Sequence, residues 1–285
     1  MTTDLLRPRG ALLAEAAGIL AAGGVPEARR EALRIWRELA EGDGADVVVR
    51  PERPVEERLA ATLLAAAARR SGGEPLAHVT GRIGFRRLLL RSDRRALIPR
   101  PETEGLVDLL LARVSTGCVA DIGTGSGALA LSLAQEGGFA SVLGVDLFAE
   151  ALALAAENRR ATGLRVELAR GDLCGALATG ALDALVSNPP YLSAGEYARL
   201  DPAVRDWEPA AALVSGEDGL AATARLLDEG RRVLRPGGWI AVELDCSRAA
   251  ACARRAAELG WDAIAIHADL YGRERYLLAQ RSATR

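Results

Sequence analysis

From Cys118 to the C-terminus, segments with strand character alternate with segments of helical spacing, and no other feature restricts the fold as strongly. Residues 118–122, 141–146, 165–169, 182–187, 239–243, 262–267 and 275–279 are short runs suited to strands. Residues 126–135, 149–160, 218–234 and 248–259 carry apolar positions at helical spacing. Strands alternating with helices predict an open, mainly parallel sheet covered by helices on both faces. Ligands of such sheets bind beyond the carboxyl ends of the strands, near the point where strand order reverses.

The front of the chain lacks this alternation. Residues 26–41 place Ala32, Leu33, Trp36, Leu39 and Ala40 on one helical face, with Gly42 as a stop. Residues 54–70 repeat the pattern with Val55, Leu59, Leu63 and Leu64 before Ser71-Gly72-Gly73, and residues 10–22 form a further helix. Between 75 and 98 the character changes: Val79, Ile83, Phe85, Leu88 and Leu90, broken by Gly81 and Gly84, suggest a short strand pair. Ile98-Pro99-Arg100-Pro101-Glu102-Thr103-Glu104 then leads into an apolar helix over 106–113, where Pro101 and the two glutamates suit the first turn. The expected division is a helical domain over 1–74, a β-hairpin linker over 75–98 and an α/β domain over 99–285.

All 36 basic residues are arginine, and the net charge of -2 argues against a dedicated nucleic-acid binder. Residues 1–98 hold 17 arginines against 13 acids, whereas the remainder is acidic. The mildly basic front could face an acidic partner or be a solvated helical surface. Cys118, Cys174, Cys246 and Cys252 form no C-x-x-C pair, and His78 and His267 are far apart, so no metal site is expected. The chain shows no signal peptide and no apolar run long enough to span a membrane, so the expected compartment is the cytoplasm.

Three motifs carry chemistry. Asp121-Ile122-Gly123-Thr124-Gly125-Ser126-Gly127 ends a strand and opens a helix, where glycines let backbone approach a ligand and the helix presents free N–H groups. A strand-to-helix turn also needs glycine for steric reasons, so this motif alone is weak. Asp146, at the end of the next strand, can accept from both hydroxyls of a ribose, or simply cap a helix. Asp172 could accept from an adenine amino group and Leu173 could lie against the ring, although a polar turn explains both. The third motif is the most specific. A buried strand runs into Asn188-Pro189-Pro190-Tyr191. The prolines fix the backbone and remove two donors, leaving the Pro189 carbonyl and the Asn188 side-chain oxygen as two acceptors for one planar NH2 group, with Tyr191 as a flat face. Such acceptors would aim a poorly nucleophilic nitrogen at an electrophile and stabilise positive charge growing on it.

Together these motifs resemble the class I S-adenosylmethionine (SAM)-dependent methyltransferases that act on planar nitrogen. More closely, the chain is similar to the release-factor glutamine N5-methyltransferases. The stretches that carry this are 74–81 with Phe85, Leu97 to Glu104, Glu208-Pro209, and Gly216-Glu217-Asp218-Gly219-Leu220. The resemblance implies a Rossmann-like seven-stranded domain behind a helical domain that grips the release factor, the two linked by a hairpin. It implies that Gly123, Thr124, Gly125, Ser126, Gly127, Asp146, Asp172, Leu173 and Asn188 bind SAM. It also implies that Asn188, Pro189, Pro190 and Tyr191 bind the glutamine of a Gly-Gly-Gln motif, with Asn188, Pro189 and Tyr191 catalytic. No metal, direct nucleic-acid contact or membrane is implied, and a monomer is expected. Leu173 stands where the family often has an aromatic residue, and Asp245 and Arg248 stand where it usually has glycine and glutamine. The competing expectations are a nucleic-acid adenine N6-methyltransferase, disfavoured by the acidic catalytic domain, and a catalytically silent module that binds a release factor or the ribosome.

Overall fold

Residues 7–40 and 46–283 are described by the structure, a computed structural model. The chain falls into two compact units: residues up to Arg82 with Asp201–Trp207, and Ile83–Leu200 with Glu208–Arg285.

The first unit is built from β1 (Arg7–Pro8), α1 (Arg9–Ala22), α2 (Ala28–Leu39), α3 (Asp46–Val49), β2 (Pro54–Val55), α4 (Glu57–Ser71) and α5 (Leu76–Thr80). Leu12, Ala16 and Leu20 recur every fourth residue along α1 and pack with Ala32, Ile35 and Trp36 of α2 and Leu63, Ala66 and Ala67 of α4. The expected end of α2 at Glu41 and its stop at Gly42 lie outside the described residues. Residues 76–80 differ from expectation. They wind as α5, so Val79 joins the helical core, and the strand pair is confined to residues 82–91. The physical reason is a capped junction. Gly81 takes φ +73°, and the Arg69 guanidinium donates to Glu74 at 2.8 Å and to the carbonyls of His78 and Val79 at 3.1 and 3.3 Å, satisfying the end of the helix.

The second unit opens with the strand pair β3 (Arg82–Phe85) and β4 (Leu88–Arg91), followed by a 3-10 turn at Pro101–Thr103 and α6 (Glu104–Leu111). The alternating part comprises β5 (Thr116–Ile122), α7 (Ala128–Glu136), β6 (Gly138–Asp146), α8 (Ala149–Thr162), β7 (Glu167–Arg170) and β8 (Leu182–Ser187). After the short helices α9 (Ala194–Tyr197) and α10 (Pro202–Arg205, in the first unit) come α11 (Ala221–Val233), β9 (Leu234–Glu243), α12 (Ala249–Glu258), β10 (Trp261–Ala268) and β11 (Glu274–Arg281). The seven strands lie in the order β10-β11-β9-β8-β5-β6-β7, and β11 is antiparallel to both its neighbours. Strand order reverses between β5 and β8, which are parallel.

Period-two alternation divides the core. Val119, Val186 and Ala241 face Leu106, Leu110 and Leu133, whereas Ala120, Leu185 and Ile240 join Leu226, Leu227 and Cys252. The central strands β5, β8 and β9 are apolar on both sides, as a doubly covered parallel sheet requires. Two polar clamps hold the strand pair in place. Arg86 at its turn donates to both oxygens of Glu136 at 2.7 Å and to Asp108 at 2.8 Å. Asn158 of α8 accepts from the Arg91 N–H at 2.7 Å and donates to the Ser126 carbonyl at 2.9 Å, tying β4 to the glycine turn. Among the described residues no helix is long and apolar enough to cross a membrane.

Candidate active site

The carboxyl ends of β5, β6 and β8 meet at the reversal of strand order. The N–H groups of Gly123 and Thr124 donate to the Val145 carbonyl at 2.8 and 2.9 Å, pinning the glycine turn to the end of β6. Gly125 sits at φ +54°, a conformation that side chains oppose, and its N–H donates to Asp146 Oδ2 at 2.8 Å. Asp146 Oδ1 accepts from the Phe148 N–H at 3.0 Å. One carboxylate thus orders the turns after two neighbouring strands, and each oxygen keeps acceptor capacity for a further donor.

Below this turn Asp121 is buried. Its Oδ2 accepts from the Thr124 hydroxyl at 2.6 Å and the Ala130 N–H at 3.1 Å, while Oδ1 has no partner among the described residues. Burial pushes the carboxyl up to about 7, against the lowering effect of those two bonds. Glu243, also buried, is likewise raised to about 7, chiefly by desolvation. A carboxyl raised in the folded chain stabilises it below the unfolded-state pKa, and the contribution is lost as pH climbs through the folded one. The carboxylates held low by arginine, such as Glu196 at about 2, act in the opposite sense and at lower pH. The melting temperature is therefore expected to fall between about pH 5 and 7, and Asp121→Asn to flatten part of that slope. Thermal melts across this range check it, and a wild-type profile that is flat or rising there would contradict it.

A cavity of about 620 Å³, within the range for a small-molecule site, opens against the turn. Of the residues expected at the site it gathers Gly123, Thr124, Gly125, Ser126, Asp146, Asp172, Leu173, Asn188 and Pro190 along its wall. Gly127, Pro189 and Tyr191 are not among its lining residues; Gly127 starts α7 at φ +85° and Pro189 is buried. Asp172 stands at an exposed position and pairs with Arg225 at 3.1 Å, and Leu173 is held at φ +47°. The sequence assigns no site role to Leu147, Phe148, Thr103 or the segment Arg94 to Leu97, all of which line the cavity, although Leu97 and Thr103 belong to a stretch that carries the family resemblance. Leu147 and Phe148 had a readable signal: both follow an acidic strand end directly, and both remain more than 40% exposed despite their apolar character.

The asparagine motif rests on residues far away in sequence. The Asn188 Nδ2 donates to Thr103 Oγ1 at 3.0 Å, and the Thr103 hydroxyl donates to Glu243 Oε2 at 2.7 Å. Burial raises the Tyr191 phenol above its usual range, and the charge of Glu243 acts in the same direction. Glu208 ties together two distant stretches of the motif set. Its carboxylate accepts from the Ile98 N–H at 2.9 Å and pairs with Arg100 at 2.5 Å. Arg248 is buried and structural: it donates to Glu196 at 2.6 Å and to the Asp218 carbonyl at 2.7 Å, closing the loop that follows Tyr191. Gly219 lies at φ +77° within this closure, where an added Cβ would stand 2.4 Å from the Tyr191 carbonyl. Asp245 caps the Cys246–Arg248 turn by accepting from the Ser247 N–H at 2.9 Å.

Residues 101–201 match the Methyltransferase small domain family, and residues 11–81 match the PrmC N-terminal domain family. The chain is 39% identical over 244 residues to the release factor glutamine methyltransferase of Nitratidesulfovibrio vulgaris, covering 83% of each. It is 44% identical over 217 residues to that of Deinococcus radiodurans, covering 75% of this chain and 77% of the relative. The chain belongs to the release factor glutamine methyltransferase family. A methyltransferase from Pyrococcus furiosus shares the fold, with a TM-score of 0.52 at 20% identity over 68% of this chain and 88% of that one.

As a member of the release factor glutamine methyltransferase family, the chain is a SAM-dependent methyltransferase. The site suits that cofactor. The Gly123–Gly127 turn leaves its backbone open, Asp146 has acceptor capacity for ribose hydroxyls, and the cavity walls beside it are apolar at Leu147, Phe148 and Leu173. When bound, SAM supplies an electrophilic methyl group on a sulfonium.

Proposed function

We propose that this chain methylates the side-chain amide nitrogen, N5, of the glutamine in the Gly-Gly-Gln motif of a peptide-chain release factor. The observation that carries this proposal is the anchored carboxamide of Asn188. Its NH2 group is taken by Thr103, so its oxygen is the end left to accept from an incoming NH2 group. With the Pro189 carbonyl as second acceptor and Tyr191 as a flat wall, Asn188 to Tyr191 would hold the glutamine amide planar and aimed. Gly123 to Gly127, Asp146, Asp172, Leu173 and Asn188 would hold SAM. An amide nitrogen is a weak nucleophile because its lone pair is delocalised. Acceptors on its two N–H groups raise its electron density and stabilise the positive charge that grows during transfer. The proton leaves after attack, so no strong base is needed beforehand. The helical segment 1–74 would grip the release factor and the stretch 75–98 link it to the catalytic part, with the enzyme acting as a cytoplasmic monomer that makes no direct contact with nucleic acid.

Intact-protein and peptide mass spectrometry of a purified release factor, incubated with this protein and SAM, tests the proposal. A gain of one methyl on the Gly-Gly-Gln glutamine is expected. Unmodified release factor together with methylated adenine in a nucleic-acid control would replace it with the N6-methyltransferase alternative.

A further inference from the structure

We propose that Glu243 is a positioning residue that, through the hydroxyl of Thr103, decides which end of the Asn188 carboxamide faces the cavity. This rests on the role given above to Asn188. The argument is one of hydrogen-bond polarity. A hydroxyl carries one hydrogen, and an ionised carboxylate can only accept. With Thr103 Oγ1 2.7 Å from Glu243 Oε2, that hydrogen is committed to Glu243. Toward its third neighbour, Asn188 at 3.0 Å, the same oxygen can then only accept. Of the two nearly isosteric ends of the carboxamide, only NH2 satisfies it, so Oδ1 is turned away from Thr103. Without this relay the carboxamide could reverse and present donors to a donor, which would repel the NH2 group it is meant to hold.

The fold explains how three distant residues form the relay. β8 ends at Ser187, immediately before Asn188, and β9 beside it ends at Glu243. Thr103 closes the Pro101–Thr103 turn, which Tyr276 of β11 secures by donating its hydroxyl to the Glu102 carbonyl at 2.5 Å. Tyr276 is itself paired opposite Glu243 across β9 and β11. The ionisable groups that act on Glu243 are Arg275, Glu102, Tyr191 and Tyr276. Arg275 favours the charged form and Glu102 opposes it, while burial is the largest influence and sets the carboxyl near 7. A neutral Glu243 could donate its own proton to Thr103, freeing that hydroxyl to donate to Asn188 Oδ1 and turn the amide over. The relay therefore holds its polarity above about pH 7 and loses it below.

The test uses the full chain as wild type, Glu243→Gln, Thr103→Val and Thr103→Ser, with SAM and a purified release factor. Glu243→Gln and Thr103→Val are expected to lose about 10²-fold in kcat, with SAM affinity by calorimetry changed far less. Thr103→Ser, which keeps the hydroxyl, restores most of the loss. Wild-type kcat rises with pH through about 7, and Glu243→Gln lacks that limb. A second readout needs no turnover. The chain contains two asparagines, Asn158 and Asn188, so selective 15N-asparagine labelling shows two side-chain amides. The Asn188 pair should carry a slowly exchanging proton in wild type and Thr103→Ser and lose it in Thr103→Val. Wild-type kcat in the first two variants, parallel loss of SAM affinity, or an unprotected wild-type Asn188 amide would each overturn the relay. A protected amide in an enzyme that leaves the release factor unmethylated supports the relay and strikes only the substrate assignment.

Discussion

Asn188→Ala is expected to reduce kcat by about 10²- to 10³-fold, the scale of removing one preorganised polar partner from a transition state. The truncation removes the acceptor that would hold one N–H of the substrate amide. It leaves the Pro189 carbonyl alone, so the nitrogen can rotate out of line, and near-attack geometry is where much of the barrier reduction arises. It also leaves the Thr103 hydroxyl without its Asn188 donor, although the bond to Glu243 survives and the surrounding loop keeps its Arg248 and Glu208 ties. The SAM contacts proposed for the glycine turn and Asp146 would stay intact, so the effect should fall on kcat far more than on SAM affinity. Single-turnover methylation of a release factor, beside SAM titration of the same variant, checks this. Turnover at the wild-type rate would exclude the two-acceptor mechanism.

Asp146→Ala should act in the opposite way, weakening SAM by at least about 10²-fold while sparing the asparagine motif. Two hydroxyl hydrogen bonds to a carboxylate are each worth about 1.5–3 kcal/mol, and 1.4 kcal/mol is a tenfold change in affinity. A second loss comes from the chain itself. Asp146 holds the Gly125 and Phe148 N–H groups at 2.8 and 3.0 Å, so without it both turns that border the cavity lose their shared anchor. Asp146→Asn separates the two contributions. One oxygen remains for one turn, but the other end becomes a donor facing a backbone N–H, so SAM binding should stay poor although side-chain volume is kept. Calorimetric titration with SAM and with its demethylated product measures both. Near-normal affinity in Asp146→Ala would remove Asp146 from the cofactor site.

The elements most legible in the sequence were those with local causes. The bounds of β8 at Leu182–Ser187 are legible because the apolar run Ala184-Leu185-Val186 is followed closely by Pro189-Pro190, and both signals are local. The start of α8 after Asp146 was equally plain. In contrast, residues 76–80 look like part of a strand pair in the sequence, because Val79 before Gly81 resembles strand punctuation. The helix forms there through Arg69, which lies in the preceding helix and caps it from outside. The short helices between Tyr191 and Gly219 are not legible in the sequence for a related reason. They have too few turns for apolar periodicity, and α9 is tied at Glu196 by Arg248 from beyond β9.

The sequence by itself determined the alternating architecture, the family, and the two motifs that end on Asp146 and Tyr191, because periodicity, glycine turns and proline-locked backbone are written in adjacent residues. Only the tertiary structure decided what orients those motifs. Glu243 and Thr103 lie 140 residues apart, and Ile98 and Glu208 lie 110 apart. Their pairing depends on which strands lie side by side. Strand order is set by the packing of the sheet's two apolar faces, not by any local preference. The two motifs could thus be placed from the chain alone, whereas the roles of Thr103 and Glu243 and the polarity of the hydrogen bonds around Asn188 follow from burial and strand order.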